Sequence, residues 1–147
     1  AFAAEMAATT GVPVEAVETA EEAVRGADIL ICATTSATPV FDPAWLAPGT
    51  HVTTVGPKFA GAHEISLDVA ARSAVIATDS PAQVEAYADP FFLIGTPDYA
   101  RMVALSAIAT GAQPGRTSAD AITLFCSVGL AGTEVLVAQA ALERARA

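Results

Sequence analysis

The fold of this chain turns on Asp28-Ile29-Leu30-Ile31-Cys32-Ala33-Thr34-Thr35-Ser36. Ile29 to Ala33 are apolar in unbroken succession, without the alternation of a strand that has one wet face. The run predicts a strand covered on both sides, the situation of an inner strand of a parallel sheet. Three small hydroxyl residues follow it. In open α/β sheets the ligand crevice lies outside the carboxyl ends of the strands. Small hydroxyl side chains there let a ligand come close to the backbone and offer it hydrogen bonds, so Thr34, Thr35 and Ser36 are candidate ligand contacts.

Outward from this strand the same pattern recurs. His51-Val52-Thr53-Thr54-Val55-Gly56 predicts a second strand, ending in Gly56-Pro57-Lys58. Ala74-Val75-Ile76-Ala77-Thr78-Asp79 predicts a third, and Ile122-Thr123-Leu124-Phe125-Cys126 a last one, ending in Ser127-Val128-Gly129. Val12 to Val17 reads as a short strand, with Pro13 suiting its start or an edge. Helices fall between. Ala1–Ala8 stops before Gly11. Thr19-Ala20-Glu21-Glu22 has the capping-box spacing and opens a helix that runs to Arg25, with Gly26 as its stop. Asp42-Pro43 caps a short turn that carries Trp45 to the edge of the core. Further helices are expected from Ser66 to Arg72, from Ser80-Pro81 to Tyr87, from Asp98 to Thr110, and from Leu130 to Arg146. In the last of these Val135, Ala138 and Leu142 share a stripe. Phe59–His63 and residues 88–97 read as loops, with Phe91 and Phe92 as core or interface. Strand alternating with helix, the strands of the buried type, predicts a doubly wound parallel sheet. If the strands at 28–34, 50–56 and 122–127 are parallel neighbours, their three ends line one crevice.

The 147 residues suffice for one domain with its own core. The chain carries a net charge of −9, with a single lysine and six scattered arginines, so nothing in it could neutralise a row of phosphates and nucleic-acid binding is not expected. No apolar run is long enough for a membrane span. No basic segment of a signal peptide precedes the first helix, and the compartment expected is the cytoplasm. Cys32 and Cys126 lie in separate apolar runs and read as buried thiols. With His51 and His63 the only histidines, no metal site is read. The chain opens inside a helix and without Met, as a piece of a longer polypeptide would.

A dinucleotide lies across the carboxyl edge of a sheet of this kind. Yet no Gly-x-Gly-x-x-Gly follows a strand here, so the pyrophosphate loop is not in this sequence. A Rossmann-like domain truncated at its N-terminus, without its first strand, glycine loop and second strand, would read this way.

Three segments carry a resemblance: Gly26 to Ser36, Trp45 to Val52, and Pro114-Gly115-Arg116-Thr117-Ser118-Ala119-Asp120-Ala121-Ile122-Thr123-Leu124-Phe125-Cys126-Ser127-Val128-Gly129-Leu130. Together, and in this order, they resemble the ornithine cyclodeaminase/μ-crystallin family. The resemblance implies an NAD(P)-binding domain over residues 1–129. It also implies a C-terminal helix over 130–147 that packs on a substrate and dimerisation domain lying upstream of Ala1. It implies NAD or NADP as cofactor, with Ala33, Thr34, Thr35 and Ser36 along its ribose and phosphates. Val55, Gly56, Val128 and Gly129 would approach the nicotinamide. Cyclodeaminases of this family carry an acid/base Asp where this chain has Lys58. A lysine there could hold a substrate carboxylate or polarise an imine, or be a solvated loop residue. His63 and Glu64 read as loop and cap residues, or as an acid/base pair. The expected activity is that of an NAD(P)H-dependent oxidoreductase at the C–N bond of an amino or imino acid, in a homodimer. The alternatives are an ornithine cyclodeaminase-type lyase using NAD transiently, and a non-catalytic binder of NADPH and a small ligand.

Overall fold

The computed structural model describes residues 1–146. Its centre is a sheet of five parallel strands in the order β1-β2-β7-β5-β6. These are β1 (Ile29–Cys32), β2 (His51–Thr54), β5 (Val75–Thr78), β6 (Met102–Ala104) and β7 (Thr123–Cys126). A small antiparallel hairpin, β3 (Lys58–Phe59) with β4 (Ala62–His63), stands beyond the end of β2. The helices are α1 (Phe2–Thr10), α2 (Ala20–Val24), α3 (Leu67–Arg72), α4 (Pro81–Ala86), α5 (Leu105–Ala109) and α6 (Ala131–Arg146). The strands at 28–34, 50–56 and 122–127 are indeed parallel neighbours, with β7, the last in sequence, at the centre of the sheet.

The register explains the core. Leu30, Val52, Leu124, Ile76 and Met102 lie side by side across all five strands. Side chains alternate along a strand, so this row and the next one, with Cys32 and Cys126, share one face. Val24 of α2, Val69 and Ala70 of α3, and Val84 of α4 join them in one buried cluster with Ile65, Phe91, Phe92 and Leu93. Phe91 and Phe92 are therefore core residues.

Local signals placed the helix ends. Thr19 and Glu22 form the reciprocal capping box, each side chain accepting from the other residue's backbone N–H at 3.2 Å. Asp42 Oδ1 accepts from Ala44 N at 2.8 Å, and Ser80 Oγ from Gln83 N at 3.1 Å. Ser66 precedes α3 but makes no cap bond, and its hydroxyl is buried without a partner. Thr19's helix ends at Val24, and Arg25 instead pairs with Glu21 at 2.6 Å.

Four expectations fail, each for a tertiary reason. Among the described residues β1 stands at the edge of the sheet: Ile29 and Ile31 are 65% and 64% exposed, and only Leu30 and Cys32 face the core. An unbroken apolar run reports what a strand could cover, not which neighbours stand beside it. Val12–Val17 is irregular, because among the described residues no strand lies alongside to satisfy its backbone groups. Asp98–Thr110 is not one helix. Met102–Ala104 extends as β6 to pair with β5, so a free sheet edge outweighs helix propensity. Phe59–His63 folds as the hairpin rather than a loop, its backbone tied to the chain opposite by Ala60 N to Pro90 O and Phe92 N to Lys58 O. The α6 stripe of Val135 and Leu142 is exposed among the described residues.

At the amino edge of the sheet His51 bonds Thr123 Oγ1 through Nδ1 at 2.7 Å and Thr53 Oγ1 through Nε2 at 3.2 Å. Burial, then the Arg116 guanidinium, holds the imidazole below its ordinary value. On acidification the unfolded chain therefore takes up a proton before the folded chain does. Stability is expected to fall as the pH drops below about 6.5, and His51→Gln to flatten that slope in urea titrations at several pH values. Leu124 is fully buried at the middle of the central strand. Leu124→Ala is expected to cost about 2–5 kcal/mol by the same measurement.

Candidate functional site

Parallel strands bring the ends of β1, β2, β5 and β7 to one edge of the sheet. Two carboxylates organise that edge. Glu64, with no solvent exposure, follows the hairpin and lies between the ends of β1 and β2. Its Oε2 accepts from Thr34 N and Thr34 Oγ1, each at 2.8 Å. Its Oε1 accepts from Thr54 Oγ1 at 2.7 Å and Gly56 N at 2.6 Å. Burial pushes this carboxyl up, but the bonds from Thr54, Thr34 and Gly56 outweigh it and hold it below the ordinary carboxylate range. Gly56 is glycine for want of space. A Cβ there would meet Glu64 Cδ at 2.6 Å, and would run into Glu64 Oε2 and Thr34 O as well.

Asp79 acts likewise at the end of β5. It accepts from Val128 N at 2.8 Å, Gly129 N at 2.9 Å and Ser127 Oγ at 3.3 Å, which fixes the turn after β7. Gly129 takes the left-handed conformation, φ 82°, that this turn requires. Tyr87, just beyond α4, donates its hydroxyl to Val128 O at 3.1 Å.

Between the two carboxylates a cavity of about 520 Å³ opens over β2 and β7, lined by Val55 to Phe59, Tyr87, Ser127 to Gly129 and Glu134. Lys58 is only 5% exposed. Its Nζ donates to Val55 O at 2.8 Å and to Gly56 O at 2.5 Å. Burial pulls this ammonium down from its ordinary value, and the carboxylates of Glu64 and Asp79 offset part of that. Burial also pushes the thiols of Cys32 and Cys126 up to about 12, so neither is a ready nucleophile.

The structure thus gathers Val55, Gly56, Lys58, Val128 and Gly129 around one cavity. Ala33, Thr34, Thr35 and Ser36 stand on the same sheet edge but outside its lining. Thr34 directs its amide and hydroxyl inward to Glu64. Ser36 Oγ is engaged with Thr38 O at 2.7 Å. His63 is likewise spoken for: its Nδ1 meets Ile65 O at 2.7 Å and its ring stacks on Phe92, 5.4 Å between centroids. Glu64 is neither a helix cap nor half of an acid/base pair with His63. It is the tie between two strand ends, a role with no local sequence signal. Asp79, visible only as the last residue of a strand, is its counterpart.

An open parallel sheet with a crevice at its carboxyl edge and flanking helices defines a Rossmann-like α/β domain. The profile of the ornithine cyclodeaminase/mu-crystallin family matches residues 1–147, and the chain belongs to that family. It is 33% identical over 149 residues to a Δ1-pyrroline-2-carboxylate reductase of Bacillus cereus, covering 99% of this chain and 46% of that protein. The Thermococcus litoralis Δ1-pyrroline-2-carboxylate reductase, solved in complex with NADH and L-proline, superposes with a TM-score of 0.84 at 35% identity, over 98% of this chain and 46% of that one. The iminosuccinate reductase of Paracoccus denitrificans in complex with NAD+ gives 0.78 at 28% identity, over 97% and 44%. The chain therefore spans under half the length of these relatives. Among the described residues no helix is long and apolar enough to cross a membrane.

Replacing Glu64 by Gln leaves one acceptor oxygen where four donors converge. Glu64→Gln is expected to lower the unfolding free energy by about 2–5 kcal/mol, from donors left unpaired at about 1–3 kcal/mol each. The depressed Glu64 carboxyl contributes stability that is present above its ordinary value and lost as the pH falls through its folded value. Acid unfolding followed by circular dichroism should therefore be shallower in the variant.

Proposed function

We propose that this chain is the cofactor-side part of an NAD(P)H-dependent oxidoreductase that acts on the C–N bond of an amino or imino acid. The observation that carries this reading is a buried lysine at the floor of the carboxyl-edge cavity, Lys58, where the cyclodeaminases resembled here have an aspartate. The cavity volume falls in the range of small-ligand sites. It would take a nicotinamide with a small acid beside it, rather than a whole dinucleotide. Gly129 lines the cavity, and its left-handed φ of 82° is what favours glycine there.

In this reading Val55, Gly56, Val128 and Gly129 form the surface against the nicotinamide, and Ala33 to Ser36 lie along the ribose and phosphates. NAD or NADP, when bound, supplies the hydride. Lys58 is the catalytic residue: an ammonium has three N–H donors, two are on Val55 O and Gly56 O, and the third is offered to a substrate carboxylate or imine nitrogen. The carbonyls of Val55 and Gly56 hold the ammonium in place, and its free N–H would stabilise either the substrate carboxylate or the electron density that builds on the imine nitrogen as hydride reaches the carbon. Residues 1–129 would be the nucleotide domain, with α6 packing on a substrate and dimerisation domain in a cytoplasmic homodimer.

The test uses the full-length protein. NAD(P)H oxidation with Δ1-pyrroline-2-carboxylate is the expected result. Ammonia release from ornithine without net NADH change would replace this reading by the lyase, and binding without turnover by a non-catalytic role. Lys58→Ala is expected to lower kcat/KM by about tenfold to hundredfold, the worth of a hydrogen bond to a charged group, with the Kd for NAD(P)H moving less than about threefold. Equal loss of both would remove Lys58 from the chemistry.

A further inference from the structure

Glu64 has no solvent exposure and does not line the carboxyl-edge cavity, yet it reaches both halves of the proposed site. Its Oε1 takes the Gly56 amide, and the carbonyl of that same residue receives Lys58 Nζ. Its backbone N–H donates to Pro57 O at 3.1 Å, so the segment leading to Lys58 is held at two successive residues. Its Oε2 takes the amide and hydroxyl of Thr34. Thr34 Oγ1 in turn accepts from Ser36 N at 3.1 Å, which shapes the strip assigned to the cofactor's ribose and phosphates. Thr54 completes the set. It is fully buried on β2, and its Oγ1 donates to Oε1 at 2.7 Å, beside the Gly56 amide. A residue so enclosed touches Glu64 but no ligand. An ionised group out of water is a costly way to join two strands, which apolar packing does as well. What apolar packing cannot supply is two oxygens, each taking two directed bonds, that fix backbone on both strand ends at once.

Resting on the reductase reading above, we infer that Glu64 is a positioning residue for the reaction: through Gly56 it sets where Lys58 Nζ stands, and through Thr34 it sets the cofactor strip, so that one carboxylate fixes the spacing between the amine and the nucleotide. Hydride transfer needs the imine carbon at near-attack distance from the reduced nicotinamide, and Lys58 is the group that holds the substrate. A misplacement of about 1 Å at such a point costs on the order of a hundredfold in rate, even when its origin lies away from the reacting atoms. The residues behind a reacting group therefore act on turnover through geometry. The two oxygens divide the task. Oε1, with Gly56 and Thr54, serves the amine; Oε2, with Thr34, serves the cofactor strip. Loosening one side is separable from loosening the other.

The experiment spares Glu64 itself, whose replacement destabilises the fold. Thr54→Val and Thr34→Val keep the shape of the side chain and each remove one hydroxyl donor, on the Oε1 and the Oε2 side respectively. In the full-length protein Thr54→Val is expected to lower kcat/KM for Δ1-pyrroline-2-carboxylate by about tenfold, with the Kd for NAD(P)H within about threefold of wild type. Thr54→Ser restores the hydroxyl and should bring kcat/KM back to within about threefold. Thr34→Val is expected to raise the Kd for NAD(P)H by about threefold to tenfold. In a Lys58→Ala background Thr54→Val should lower kcat/KM by less than about twofold further, because the group it acts through is gone. A tie that served the fold alone would reduce the active fraction equally in both backgrounds. Full additivity in the double variant, a Thr54→Ser as impaired as Thr54→Val, an unchanged kcat/KM in Thr54→Val, or an unchanged Kd in Thr34→Val would each overturn this inference while leaving the reductase reading intact. No NAD(P)H oxidation by the wild type with the imino acid would overturn the reductase reading, and this inference with it.

Discussion

The carboxyl edge of this sheet depends on one buried charge. Glu64 is removed from water and would be strongly destabilising there if its oxygens lacked donors. It has four, two from Thr34, one from Thr54 and one from Gly56. Charge-assisted bonds of this kind are short and directional. They therefore do more than offset desolvation: they hold the end of β1 against the end of β2. Gly56 can reach its place only without a side chain, and its carbonyl in turn receives Lys58 Nζ. The cation at the floor of the cavity is thus positioned by a chain of contacts that starts at a residue facing away from solvent. Asp79 repeats the device between β5 and β7. A hydrogen-bonded carboxylate, Glu64 or the half-buried Asp79, serves each side of the cavity, and both favour the charged form of Lys58 against its burial.

Much of the architecture was legible. The segments at Ile29–Ala33, Val52–Val55, Val75–Ala77 and Ile122–Cys126, rich in apolar and β-branched side chains, each gave a parallel strand. Capping chemistry is equally local, and Thr19, Asp42 and Ser80 all cap as their spacing implies. What hydrophobicity does not encode is order. The edge position of β1, the central position of β7 and the recruitment of Met102–Ala104 as β6 are decided by which strands find each other across the sheet.

The site was legible in outline for the same reason. Strand ends converge wherever strands are parallel, so Val55, Gly56, Lys58, Val128 and Gly129 could be grouped before any coordinates. Thr34 marks the limit. Its hydroxyl looked like a ligand contact, yet it is consumed by a carboxylate 30 positions further along the chain. A polar residue at a strand end has two ways to be satisfied, by a ligand or by the protein, and only the packing decides between them. Glu64 reads with His63 as a loop or cap residue or an acid/base pair, and its tie between strands is not legible because its four donors come from three separate positions.

Lys58 holds the only ε-amine in these 147 residues, and it lies almost wholly out of solvent. Reagents that acylate amines would therefore find no other side chain to modify along this stretch. The rate at which that single amine is acylated becomes a clock for how often the crevice opens, and anything that occupies the crevice should slow it.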